Sequence, residues 1–350
     1  MPSKTGDPPC PLSDSINAAT RSVHAKLNKL VISRLRLALP PQADDASQYV
    51  AGLLHVTPIY NTFESLWGKV LESPGPPGAP SLDQRHLNDI TYDLAETQLD
   101  DDPDPRRQLA VSERIRQLLA NLYSGGLQRS QALEKDLVSL TCWSSRTLAE
   151  QLNDASESPA LGDFLAHMRI SVEKSPHNLL AYAWVLYMAL FSGGRFIRAL
   201  LENIYPAFWV PASAQRPAPA TLANIATTKT QPLSFFRFDT PDDGEDLKRE
   251  FKKRFCDQEG ALTEPERQEI IQEARCIFEY MIRIIDELDD ICAKDKDTAE
   301  SRLLSLRSRD SVIVENERRQ HSADMAQKAP ARVETKHSLE EGGRGHVKFG

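Results

Sequence analysis

Three short groups of residues in this chain can do chemistry by virtue of their side chains or the lack of them. His24 closes Ala19-Thr-Arg-Ser-Val-His24. An imidazole beside an apolar helical stripe can give a nitrogen to a metal, and Arg21 at i−3 sets a cation near it. Lys248 and Lys252 stand at i, i+4 in Glu245-Asp-Leu-Lys-Arg-Glu-Phe-Lys-Lys-Arg-Phe-Cys256, so they share a helix face from which to hold an anionic group. Ser192-Gly193-Gly194 interrupts an apolar run. Two glycines in a buried helix cost roughly 1 kcal/mol each relative to alanine, and they remove the side chains that keep another group off the backbone. A flat or bulky partner can therefore lie against it. Taken singly, each group also has an ordinary reading: a satisfied core histidine, a solvated lysine face, and a packing kink.

The elements that must position these groups are helical. Ser13 to Val31 carries an apolar stripe of Ile16, Ala19, Val23, Leu27, Leu30 and Val31, with His24 beside it and Asn17, Thr20 and Arg21 on adjoining faces. Ala46 to Val70 reads as a second helix, bent at Pro58. Further helices are expected near 81–98, 106–122, 130–139, 145–153 and 158–173. The central stretch opens with Ser175 as a side-chain N-cap and Pro176 at the first helical position, and is apolar on nearly every face from Leu179 to Phe191. Such a helix belongs in the middle of a bundle. Its apolar run is shorter than the roughly 20 residues of a membrane span and ends in Gly-Gly-Arg. Leu233-Ser-Phe-Phe-Arg-Phe238 reads as a strand-like segment docked on the core, and Thr263 to Leu288 as a long amphipathic helix. No alternating run of strand length appears, so the expected class is all-α.

Composition narrows the function. The 350 residues are 40% hydrophobic, enough for a sizeable core, and the formal net charge of −8 argues against a nucleic-acid binder. Five scattered cysteines without C-x-x-C spacing suit a reducing compartment and no structural zinc. The first residues lack the apolar core of a signal peptide, so a cytoplasmic location is expected. Residues 1–12 read as a disordered Pro-rich tail, with Cys10-Pro11 as part of it, although that dipeptide serves as a haem-responsive thiolate in some proteins. Residues 13–292 read as the helical domain, with loop insertions near 72–82, 99–106 and 206–232, and residues 301–350 as a charged, disordered tail.

In this order the pieces resemble the haem (heme) oxygenase family, as a divergent member of fungal type. Ala19-Thr-Arg-Ser-Val-His24 is similar to the family's proximal-helix motif, and Leu180 to Gly194 to its distal helix, kinked at the glycines. Leu133-Glu-Lys-Asp-Leu137, Leu233 to Phe238 and the Lys248/Lys252 helix resemble segments found between and after them. The resemblance covers about Ser13 to Leu288. It implies a multi-helical bundle with His24 as the axial iron ligand. It also implies Arg21, Lys248 and Lys252 near the haem propionates, and Gly193 and Gly194 over the porphyrin. Ser192, Gly193 and Gly194 would then be the catalytic group. The implied reaction is oxidative opening of haem to biliverdin, carbon monoxide and Fe2+, with O2 and electrons from an NADPH-dependent reductase.

The departures from the family pattern are specific. Leu190 stands where an aspartate usually anchors the distal water network, Leu186 where an arginine is usual, and Asn17 where a lysine is usual. Haem binding tolerates these changes, while proton supply during oxygen activation does not obviously do so. The carboxy-terminal membrane anchor of animal and yeast relatives is expected to be absent. The runner-up function is accordingly a haem-binding protein that stores, senses or traffics haem without turnover. A di-iron oxidase needs Glu-x-x-His pairs on facing helices, and the central helix has no acidic residue between Pro176 and Leu201.

Overall fold

Helices follow the 3.6-residue apolar pattern closely, and the described residues contain no strand. The computed structural model describes residues 10–73, 112–211 and 231–293. Its α-helices are α1 (Leu12–Leu37), α2 (Ser47–Glu72), α3 (Glu113–Leu122), α4 (Ser130–Thr141), α5 (Ser145–Ser156), α6 (Pro159–Lys174), α7 (Leu179–Ala189), α8 (Arg195–Glu202), α9 (Glu245–Gln258) and α10 (264–293). The expected helix near 81–98, the charged tail from 301 and most of the three insertions lie outside the described residues. The helices form an all-α bundle whose compact unit ends at Cys292.

The local chemistry of helix ends is legible in several places. Thr263 and Glu266 form a capping box at the start of α10, with the Thr263 N–H donating to Glu266 Oε2 at 2.7 Å. Ser144 caps α5 by accepting from the Thr147 N–H. Pro58 lies inside α2, which nevertheless runs unbroken. The expected Ser175 cap is not made. Its hydroxyl donates to Glu269 on α10 at 2.8 Å, and a 3-10 turn over Pro176–Asn178 leads into α7.

α7 is the axis of the bundle. Tyr60 of α2 donates to the Leu186 carbonyl at 3.0 Å, and Phe164 of α6 stacks on Tyr182. Phe251 and Phe255 of α9 pack on Trp184, and Tyr182 donates its hydroxyl proton to Glu273 of α10. A helix approached on so many sides must be apolar all round. The glycines do not break it: residues Leu190–Gly194 form one π turn, and the helical course continues into α8. The continuous run Pro176–Glu202 is therefore long and apolar enough to cross a membrane, contrary to the expectation drawn from the interrupted stretch. In α7 most of these side chains are buried against neighbouring helices, whereas Phe196 and Leu200 of α8 remain exposed.

The segment expected to be strand-like is instead a 3-10 turn, Ser234–Phe236. Both oxygens of the buried Asp136 carboxylate on α4 accept from the backbone N–H groups of Ser234 and Phe235 at 2.8 Å, which curls the segment. Two successive N–H groups aimed at one carboxylate exclude the alternation of a strand.

Candidate functional site

α1 displays a polar stripe along the rim of its buried face. Ile16, Thr20 and Leu27 point inward, while Asn17, Arg21, His24 and Asn28 are exposed and follow one another at helical spacing. The His24 ring rests on Phe278 of α10, with centroids 5.2 Å apart. The Asn28 side-chain amide lies 3.2 Å from His24 Nε2. With that amide as donor, Nε2 is the unprotonated nitrogen and Nδ1 carries the proton. This tautomer frees the Nε2 lone pair for a metal once Asn28 turns away. No described residue pairs with Arg21.

Trp184 joins this stripe to the other predicted groups. Its indole N–H donates to Asn17 Oδ1 at 3.2 Å, and the Lys252 ammonium lies 6.0 Å above its ring. Seven residues on, Phe191 in the π turn carries Lys248 at the same 6.0 Å. The two lysines do share a face of α9, and that face lies on the aromatic side chains of the central helix. They differ in commitment: Lys248 Nζ is 3.2 Å from Glu245, whereas Lys252 has no carboxylate among the described residues.

The π turn is held from outside. Phe238 stacks on Phe191 with centroids 4.8 Å apart, and the Arg129 guanidinium lies over the Phe238 ring at 4.2 Å. Arg198 of α8 pairs with Asp243, and Arg195 with Glu245 at 3.0 Å, which latches the start of α9 beside the turn. Gly244 joins these pieces at φ +86, and a Cβ there would sit 2.6 Å from Phe238 and 3.0 Å from Phe191. Only glycine meets both demands.

The two glycines of Ser192-Gly193-Gly194 are not equivalent. A Cβ on Gly194 would lie 3.4 Å from Phe236, in ordinary van der Waals contact with a neighbouring side chain. A Cβ on Gly193 would meet nothing within 4 Å, and Gly193 is exposed. Gly193 alone offers bare backbone to open space. Ser192 is also exposed, but its hydroxyl donates to the Met188 carbonyl at 3.0 Å. Leu190 is only 5% exposed and belongs to the main core.

Sequence reasoning overlooked Phe278, Asn28, Arg129 and the Asp243-Gly244 turn. Asn28 carried a signal, since i+4 from a candidate ligand is the natural place for a polar partner. Phe278 and Arg129 reach the site from more than a hundred residues away through ring contacts that have no spacing rule, and Asp243 meets Arg198 across 45 residues.

A helical bundle with a π turn at paired glycines, flanked by a histidine helix and a lysine helix, defines the class. Residues 109–287 match the family model described as Heme oxygenase, and the chain belongs to that family. The match begins after α1, so His24 lies outside it. The chain is 28% identical over 209 residues to the heme-binding protein HMX1 of Saccharomyces cerevisiae, covering 57% of this chain and 62% of that one. It is 26% identical over 191 residues to Heme oxygenase 1 of Homo sapiens, covering 54% and 57%. The aligned part is thus less than two thirds of the length of these relatives. Heme oxygenase 2 of Chlamydomonas reinhardtii, solved without heme, has the same fold with a TM-score of 0.54 at 19% identity, over 79% of this chain and 97% of that one. Heme oxygenase-1 of the cyanobacterium Synechocystis, solved with heme, gives a TM-score of 0.52 at 15% identity, over 84% and 100%.

Proposed function

We propose that this protein is a haem oxygenase that opens haem to biliverdin, carbon monoxide and Fe2+. The observation that carries the reading is Gly193, whose bare backbone faces open space in the helix that Trp184 and Phe191 tie to the His24 stripe and to the two lysines. His24 would hold the iron through Nε2, and Gly193 would make room for the flat ring. Arg21 and Lys252, neither paired with a carboxylate among the described residues, would meet the propionates, with Lys248 joining them by leaving Glu245. Bound haem, acting as substrate and cofactor, supplies the oxygen chemistry with electrons from an NADPH-dependent reductase.

The chain's own residues then govern protons. The Ser192 proton is committed to Met188, so Ser192 can relay one only by breaking that bond. Leu190 neither donates nor accepts. These two facts support a second reading, a haem-binding protein without turnover; the yeast relative is named a heme-binding protein.

One experiment separates the readings. Purified protein is mixed with haemin, and reductant is added in air. Decay of the Soret band with biliverdin formation is expected, and a stable Soret band selects the second reading. His24→Ala should lose the histidine-ligated ferrous carbonyl spectrum and regain it with added imidazole. An unchanged spectrum in that variant removes His24 from the assignment.

A further inference from the structure

Away from the His24 stripe, α10 carries a second group of ligand-type side chains. Phe278, Ile282 and Ile285 form a small apolar cluster with Leu27 of α1, whereas Glu273, Cys276 and Tyr280 lie on the opposite side of the same helix by their 3.6-residue spacing. There the donor atoms of His167, Glu273 and Cys276 all lie within 4.8 Å of one another. His167 comes from α6 and the other two from α10 at i, i+3.

We infer that His167, Glu273 and Cys276 form a binding site for a borderline-soft divalent cation of the zinc type. The donor set is one imidazole, one carboxylate and one thiol, which is the chemistry such ions select. His167 Nε2 is already 3.0 Å from Glu273 Oε1 and 3.3 Å from Oε2, so little closure is needed to bring nitrogen and oxygen around one ion. Tyr182 donates its hydroxyl proton to Glu273 Oε1 and fixes the carboxylate from behind, as outer partners of metal ligands do. Gln272 approaches the Cys276 sulfur at 3.8 Å.

The side chain of Glu273 is 7% exposed and that of His167 30%, so the carboxylate is screened from water while the imidazole leaves an entry path. Cys276 is a free thiol. Burial, and then the Glu273 charge, raise its pKa. Without a cation it is therefore a neutral thiol rather than a reactive thiolate. An entering cation displaces the thiol proton and the His167 Nε2 proton, the ring keeping its proton on Nδ1, gains three protein ligands and keeps a fourth position for water.

The test uses the full chain freed of metal by a chelator and titrated with Zn2+ against a chromophoric chelator, then with Co2+ as the spectroscopic probe. One equivalent per chain is expected, with a thiolate-to-cobalt charge-transfer band in the near ultraviolet. Cys276→Ser should remove the band, and both Cys276→Ser and His167→Ala should weaken Zn2+ binding by roughly 10-fold or more. Cys256→Ser and His24→Ala should change neither. Zn2+ should also protect Cys276 of the unaltered chain from alkylation, read by mass spectrometry, which needs no variant to fold. A missing thiolate band, a band that survives Cys276→Ser, or alkylation of Cys276 at the same rate with and without Zn2+ would overturn the site.

Discussion

Leu190 concentrates the question of turnover in one side chain. Its apolar character is visible in the sequence, but its position in the core is not. An aspartate there would need water or a donor, and the residue is only 5% exposed. Leu190→Asp is therefore expected to cost stability, about 3–5 kcal/mol on the scale of an uncompensated buried charge. Denaturant unfolding reads this directly. In the unaltered chain, an apolar side chain that excludes water should give loosely coupled chemistry, with hydrogen peroxide released for part of the reductant consumed. Biliverdin formed in strict proportion to reductant would show that another group supplies the protons.

Among the elements, the π turn is where reading the sequence stopped short. Ser192-Gly193-Gly194 announced an irregularity, yet a kink, a close crossing and a π turn share that signature. The distinction depends on Phe236 and Phe238, which follow a turn whose Ser234 and Phe235 N–H groups are held by Asp136, about a hundred residues earlier. The turn makes a sharp prediction because Gly193 has space for a methyl group. Gly193→Ala should leave the haem-free protein folded and stabilise it by up to about 1 kcal/mol through helix propensity. The same methyl should weaken haem binding by about 1–3 kcal/mol, the usual cost of overpacking, or roughly 5- to 150-fold in Kd. Thermal melting and haemin titration measure the two sides. Unchanged haem affinity would move the ring away from Gly193.

For the molecule as a whole, the all-α class and most helices were legible because apolar periodicity is local. The ties that hold α1 were not, because they span the chain. The Leu12 N–H donates to Glu259 at 2.9 Å, Arg267 donates to the Cys10 carbonyl at 2.8 Å, and Arg34 pairs with Asp289 at 2.9 Å. α10 is itself tied to α3 through Glu266 and Arg114, 2.5 Å apart. Partial burial pushes the Glu266 carboxyl up, but Arg114 and the Thr263 N–H and hydroxyl outweigh it and hold its pKa at about 2. A depressed folded pKa contributes stability above the ordinary value of 4.5, and that contribution is lost as pH falls from there towards 2. The protein should lose stability across that window, and Glu266→Gln should flatten the loss while lowering stability near neutral pH. Denaturant midpoints measured from neutral pH downwards check the sign; parallel curves for the two proteins would exclude Glu266 as a contributor.

The same ties set a clock on synthesis. A ribosome adds roughly 5–20 residues each second, so the stretch between the end of α1 and the start of α10 takes on the order of 10–50 s to emerge. Throughout that interval the His24 face has no Phe278 to rest on and Arg34 has no Asp289, while Glu259, which fastens the other end of α1, is made only at its close. A nascent chain stalled before α10 thus carries an early histidine helix without its seat, and the geometry around His24 is completed only when the last of the described helices is made.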